Sequence, residues 1–303
     1  MINDRLIDAG DLPLAVRDFG GDGPNLLLLH GAGGNLATMT AVARLLRPRH
    51  RVITMDLRGH GRSGNGDWTL DAALGDLAAV TAQLDLDRPA IAGQGLGGML
   101  AAAWGARHPD CPGVVSLAGI GAPTGVDQLP GLDPDRAAAE LVRLHASAQA
   151  MESALGQPIE AAQLADLVAA QRVLARSSGA DEKIWIEGFR RNVQHRNGQT
   201  TLRPSRGASA QIRTLMNGFD LAAVYAATRC PLLVVLAGRG LPQHDEFADV
   251  YAAFRRGVAE TVARIARTTP AMQYLSLADA SPAMVAEQPH RVAGVIGEFL
   301  AGD

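Results

Sequence analysis

Through the first third of the chain, short and almost wholly apolar runs alternate with stretches of helical periodicity, and one junction between them is built of glycine. Residues 93–98 read G-Q-G-L-G-G. They follow the apolar run 89–92 and precede the Ala-rich helix-forming stretch 96–107. Glycine permits backbone conformations that other residues resist, so this junction between a strand and a helix reads as a tight turn. That unit, repeated with other connections, constrains the fold more than any other feature. It calls for parallel strands joined by crossover helices, an α/β architecture.

The remaining pattern extends this reading. Runs 25–30 and 51–55 are nearly all apolar, as strands buried on both faces are, and 114–118 supplies another. Residues 12–18 read as an early antiparallel strand, and 36–46 and 70–84 carry apolar residues at helical spacing. From 124 to 218 the pattern predicts helices alone, with Asp133 capping one that starts at Pro134 and Asp181 preceding one that carries Trp185 and Phe189. Strands resume at 231–237 and 272–277, separated by a helical stretch over 244–267, and 289–300 closes as a helix. The expected organisation is a core of residues 1–123 and 219–303 interrupted by a helical lid at 124–218.

These residues resemble the α/β-hydrolase family over nearly the whole chain. The family's H-G loop corresponds to His30-Gly31-Ala32-Gly33-Gly34-Asn35, and its D-x-R-G-x-G-x-S segment to Asp56-Leu57-Arg58-Gly59-His60-Gly61-Arg62-Ser63. The glycine turn falls where the family carries G-x-S-x-G, and Glu287-Gln288-Pro289 stands before the last helix. The resemblance implies an α/β-hydrolase fold: a mainly parallel eight-stranded sheet with a helical lid. It also implies a triad that this sequence does not supply. Gly95 stands at the serine's place, residues 238–241 hold no acid where the family's acid follows its seventh strand, and Pro282 aligns with the histidine. His290 lies in the final helix and is poorly placed to substitute.

What the resemblance leaves is an oxyanion hole without an attacking atom, with the backbone N–H groups of Ala32 and Leu96 as donors. Removing a triad serine or histidine costs on the order of 10⁶ in turnover. Pre-orientation alone can supply about 7–11 kcal/mol. The expectation is therefore an enzyme that acts without an acyl-enzyme on a small, largely apolar carbonyl compound, by cyclisation, elimination, isomerisation or similar lyase-type chemistry. Two alternatives stand beside it: a non-catalytic ligand-binding pseudo-hydrolase, and a weak hydrolase with a relocated catalytic group. Asp279, on the loop after the last strand, is the candidate base if burial raises its pKa, and Gln94 is the candidate for steering a proton. Gly95 and Arg239 are candidate binding residues, His30 reads first as support for the oxyanion loop and second as a direct ligand contact, and Trp185 with Phe189 could roof an apolar ligand. His60 reads as a loop-supporting histidine.

Composition narrows the field further. With 47% hydrophobic and 19% charged residues and a formal net charge of -3, the chain can bury a large core and shows no basic stripe, which disfavours nucleic acid. Cys111 and Cys230 form no metal-like spacing, so no cofactor or metal is expected. The N-terminus lacks a leader pattern and no apolar run reaches the ~18 residues of a membrane span, so a cytoplasmic location is expected, with no membrane partner and a homodimer left open. Residues 59–64 and 93–98 both match G-x-G-x-x-G, but the strand after the second runs into Gly119-Ile120-Gly121 with no acid to hold a ribose, against dinucleotide binding.

Overall fold

The computed structural model describes residues 4–153 and 155–302, with the backbone alone for 242–244. Among the described residues ten strands form: β1 (Asp4–Asp8), β2 (Pro13–Asp18), β3 (Asn25–Leu29), β4 (Arg51–Met55), β5 (Ala90–Gln94), β6 (Val114–Leu117), β7 (Val193–Arg196), β8 (Gln199–Leu202), β9 (Leu232–Ala237) and β10 (Met272–Leu277). Eight of them make one sheet in the order β1-β2-β4-β3-β5-β6-β9-β10. β2 runs antiparallel to both β1 and β4, and every pairing from β4 onward is parallel. The expected mainly parallel eight-stranded sheet is therefore present.

Burial explains why the central strands read as continuous apolar runs. Leu26, Leu27, Leu28 and Leu29 of β3 are wholly buried, and they divide between two cores, one on each face of the sheet. Helices α1 (Thr40–Leu46) and α10 (Pro289–Ala301) pack together on one face. On the other, α2 (Leu70–Gln83), α3 (Leu96–Arg107), α8 (Leu221–Ala227) and α9 (Ala248–Ala266) form a connected layer. Cys111 and Cys230, distant in sequence, are buried free thiols that meet here and interact.

Several boundaries differ from expectation. β1 has no clear apolar signal, because it is an edge strand that buries Ile7 alone and leaves Arg5, Leu6 and Asp8 exposed. The stretch 36–46 is a 3₁₀ turn, Leu36–Met39, followed by α1. Likewise 244–267 opens in a 3₁₀ segment, Pro242–Phe247, before α9; the side chain of His244 lies outside the described residues, as do residues 1–3 of the N-terminal stretch.

Between β6 and β9 lie α4 (Pro134–Ser153), α5 (Ala161–Ser178), α6 (Glu182–Arg191) and α7 (Arg206–Asn217). The Asp133 side chain accepts from the Arg136 N–H at 2.9 Å and Asp181 from the Ile184 N–H at 3.0 Å, the caps expected from sequence. The segment is not helices alone. β7 and β8 form an antiparallel hairpin whose turn residues Asn197 and Gly198 both have positive φ, 52° and 74°. An Asn-Gly pair in this conformation is a strong hairpin signal, masked here by the polar composition of both strands.

Candidate active site at the glycine turn

β5 enters α3 through Gly95, which has φ 54° and ψ -117°. A side chain is excluded on either side of this apex. A Cβ on Gly93 would lie 2.2 Å from the carbonyl carbon and oxygen of Gly97, and one on Gly97 would lie 2.5 Å from the Leu29 oxygen. At Gly95 itself a Cβ would meet only the Gly31 Cα, at 3.7 Å. The turn is therefore forced by close backbone packing at 93 and 97, while its apex has room for a side chain and carries none.

Beside the apex, the loop of residues 30–35 is braced from below by two buried histidines. The His30 Nε2 accepts from the Leu57 N–H at 3.0 Å while its Nδ1 lies 2.7 Å from the Gly31 oxygen, so Nδ1 carries the proton. The His60 Nε2 accepts from the Gly33 N–H at 3.1 Å, and its Nδ1 lies 2.9 Å from the Arg58 oxygen. Burial pushes His30 down to about 4 and His60, next to it, to about 3. Both rings are neutral at pH 7. Of the two roles open to His30, loop support and ligand contact, its hydrogen bonds serve the first.

From above, the inserted segment clamps the same loop. The Asn35 Nδ2 donates to the Gly188 oxygen at 2.7 Å and to the Asn192 Oδ1 at 3.0 Å. The Asn192 Nδ2 in turn donates to the Gly33 oxygen at 2.7 Å. Next to this pair, the Arg191 Nε donates to both carboxylate oxygens of fully buried Asp56, at 3.0 and 2.8 Å. Asp56 also accepts from the Leu36 and Arg62 N–H groups. Arg203 reaches across to the carbonyls of Gly61 and Ser63. Sequence reading missed Asn35, Arg191, Asn192 and Arg203, because polar pairing across some 150 residues leaves no local pattern.

A cavity of about 730 Å³ lies over the turn. Ala32 and Gln94 line it from the core, Trp185 and Phe189 from α6, and Ile212 and Met216 from α7. The last two were not foreseen, although their i, i+4 spacing on one helix face carries the signal. Trp185 donates from Nε1 to the Gln171 Oε1 at 2.8 Å, which fixes the indole at the cavity wall. The Ala32 N–H has no acceptor among the described residues, and the Leu96 N–H opens α3, where no intrahelical partner exists. Neither Gly95 nor Leu96 belongs to the cavity lining, and the Leu96 side chain is in the core.

The expected proton-transfer residues are placed differently. Asp279 is exposed and paired with Arg291, whose hydrogen bond holds its carboxyl below the usual range, so burial does not make it a base. Arg239 lies outside the cavity, donating from Nε to the Asp279 backbone oxygen at 2.7 Å. Gln94 does line the cavity, but its Nε2 donates to the carbonyl of Pro282. The bridge between turn and post-β10 loop is thus made by a side-chain amide and a backbone oxygen. The ionisable lining residues are all engaged: Asp181 in its cap, Arg203 on carbonyls, and Arg213 with Glu152 at 2.8 Å.

Comparison with known proteins agrees with this architecture. A family model described as alpha/beta hydrolase fold matches residues 24–148. The chain is 35% identical over 121 residues to a fluoroacetate dehalogenase of a Burkholderia species, covering 38% of this chain and 39% of that protein. It is 38% identical over 90 residues to the pimeloyl-[acyl-carrier protein] methyl ester esterase of Chromobacterium violaceum, covering 30% and 34%. The matched part spans only 27% to 39% of these curated relatives and of a mycobacterial protein also matched. Likeness to solved structures extends over the full length. E-2-(acetamidomethylene)succinate hydrolase matches with a TM-score of 0.73 at 20% identity, over 99% of this chain and 100% of that one. The enol-lactonase of Burkholderia xenovorans matches with a TM-score of 0.64 at 21% identity, over 98% and 100%. Strand order, the glycine turn at the end of β5 and these full-length likenesses make this a protein of the α/β-hydrolase fold.

Proposed function

We propose that the cavity over Gly95 takes up a small, largely apolar carbonyl compound and polarises its oxygen without forming an acyl-enzyme. The observation that carries this reading is the apex: Gly95 keeps the tight turn conformation but has no atom that could bond to a carbonyl carbon. The donors remain. The N–H groups of Ala32, on the cavity wall, and Leu96, at the start of α3 behind it, have no acceptor among the described residues, and the loop that bears Ala32 is held by His60, Asn35 and Asn192. Donors fixed before the substrate arrives cost no reorganisation when charge develops on oxygen. The chemistry this supports is one in which the substrate supplies its own nucleophile or leaving group: cyclisation, elimination or isomerisation. Residues 124–218 act in this reading as a lid, with Trp185 and Phe189 as its apolar roof.

One observation favours a second reading, that of a binder without turnover. Among the described residues each ionisable side chain lining the cavity already has a partner, and its one carboxylate, Asp181, is held as the cap of α6. The two readings part in a single experiment. The purified protein is incubated with a panel of apolar ketones, lactones and esters, with binding read by Trp fluorescence, conversion by chromatography and adducts by intact mass. Binding with conversion and no adduct supports the first reading; binding without conversion supports the second. A stable acyl adduct from a thioester or nitrophenyl ester would refute both.

A further inference from the structure

On the other side of α6, away from the glycine turn, a second concavity of about 1140 Å³ runs between the β7–β8 hairpin, α5 and the loop of residues 61–65. Its lining holds eight basic side chains and two carboxylates, Glu182 and Glu187. Part of this charge is balanced locally. Arg17 pairs with Asp4 and Glu187, both at 2.8 Å, Arg191 with Asp56 and Asp4, and Arg172 with Glu182 at 3.6 Å. Counting Asp4 and Asp56 with the two lining glutamates, eight cations face four carboxylates, which leaves four positive charges.

The surplus is carried by identifiable groups. Lys183, Arg190 and Arg196 are exposed and have no carboxylate partner among the described residues. Arg203 is held only by backbone carbonyls and the Asn65 amide. A concave positive field on a chain of net charge -3 runs against the molecule's own balance. Low-dielectric walls on several sides focus such a field far more than a flat surface does.

We infer that this groove is a binding site for a small polyanion carrying two or more phosphoryl or carboxylate groups. The guanidinium forks of Arg190 and Arg196 and the ammonium of Lys183 provide the contacts, since planar forks match phosphate and carboxylate oxygens in pairs. The site is separate from the Gly95 cavity, which shares only Arg203 with it.

Isothermal titration with inorganic pyrophosphate and with citrate tests this, each at low and at ~0.5 M salt. One-to-one binding of either probe is expected, weakened at least about tenfold at the higher salt because the contacts are partly exposed. The double variant Lys183→Ala, Arg196→Ala should lower that affinity about tenfold while leaving the thermal midpoint unchanged, both side chains being exposed. Which probe binds more tightly identifies the anionic group. No binding of either, or equal binding in the double variant, overturns the proposal. So does retention of heparin or an acidic polypeptide without either small probe, which would make the groove a macromolecular contact. The Trp fluorescence readout of the Gly95 cavity is independent of all these outcomes.

Discussion

Replacing Arg191 by Met tests how the inserted segment is fastened to the core. The substitution keeps much of the side-chain volume but removes the guanidinium from Asp56, which has no exposed surface, and from Asp4. Asp56 keeps two backbone donors, Leu36 N–H and Arg62 N–H at 2.8 and 2.7 Å, but loses the guanidinium that pairs with it directly. Breaking a buried pair from one side costs about 3–5 kcal/mol. With an unfolding entropy of about 2.1 cal/mol/K per residue, a chain of 303 residues should lose about 5–8 °C of midpoint. Asp56→Asn should cost a comparable amount. The double variant should lose clearly less than the two singles combined, because no charge is left stranded. Differential scanning calorimetry of the four proteins at pH 7 gives the coupling. If the double variant equals the sum of the singles within about 0.5 kcal/mol, the pair is not a unit and the reasoning fails.

Stability should also depend on pH through the two loop histidines. Both imidazoles are neutral in the fold, at about 4 and about 3, whereas unfolded histidine titrates near 6.5. The unfolded chain therefore binds more protons below pH ~6.5, so stability is full above that value and falls as the pH drops toward 4. A urea midpoint that stays constant between pH 7.5 and 5 would contradict the neutral assignment. The glycine turn makes a graded prediction. Gly95→Ala should cost only the strain of its positive φ, about 1–3 kcal/mol, since its Cβ would sit 3.7 Å from the nearest atom. Gly93→Ala and Gly97→Ala, with contacts of 2.2 and 2.5 Å to backbone, should be far worse and yield little folded protein. Soluble expression and thermal midpoints of the three variants check the order.

Much of this was written locally. The buried strands were legible because both faces of β3, β4 and β5 are covered, which leaves continuous apolar runs that no other element produces at that length. The glycine turn was legible because the glycines themselves cluster there, although the crowding that requires them is local at Gly93 and comes from the end of β3 at Gly97. The hairpin at Asn197-Gly198 was present in the sequence as a turn signal and was overridden by helical neighbours. β1 was not legible, being an edge strand with a single buried residue, Ile7, too little to make an alternating pattern.

The site divides along the same line. The absence of a hydroxyl at Gly95 and of an imidazole at Pro282 is a property of composition, and the sequence determined it outright. Whether Asp279 was buried, whether His30 faced a ligand or a loop, and which side chain crossed from the turn to Pro282 depended on contacts between segments up to 188 residues apart. Hydrogen bonds and burial are set by what surrounds a group in space, and a chain read in one dimension carries no record of that surrounding. Only the packed structure could decide that Asp279 is solvent-exposed, that both histidines are committed and that Gln94 holds the Pro282 carbonyl.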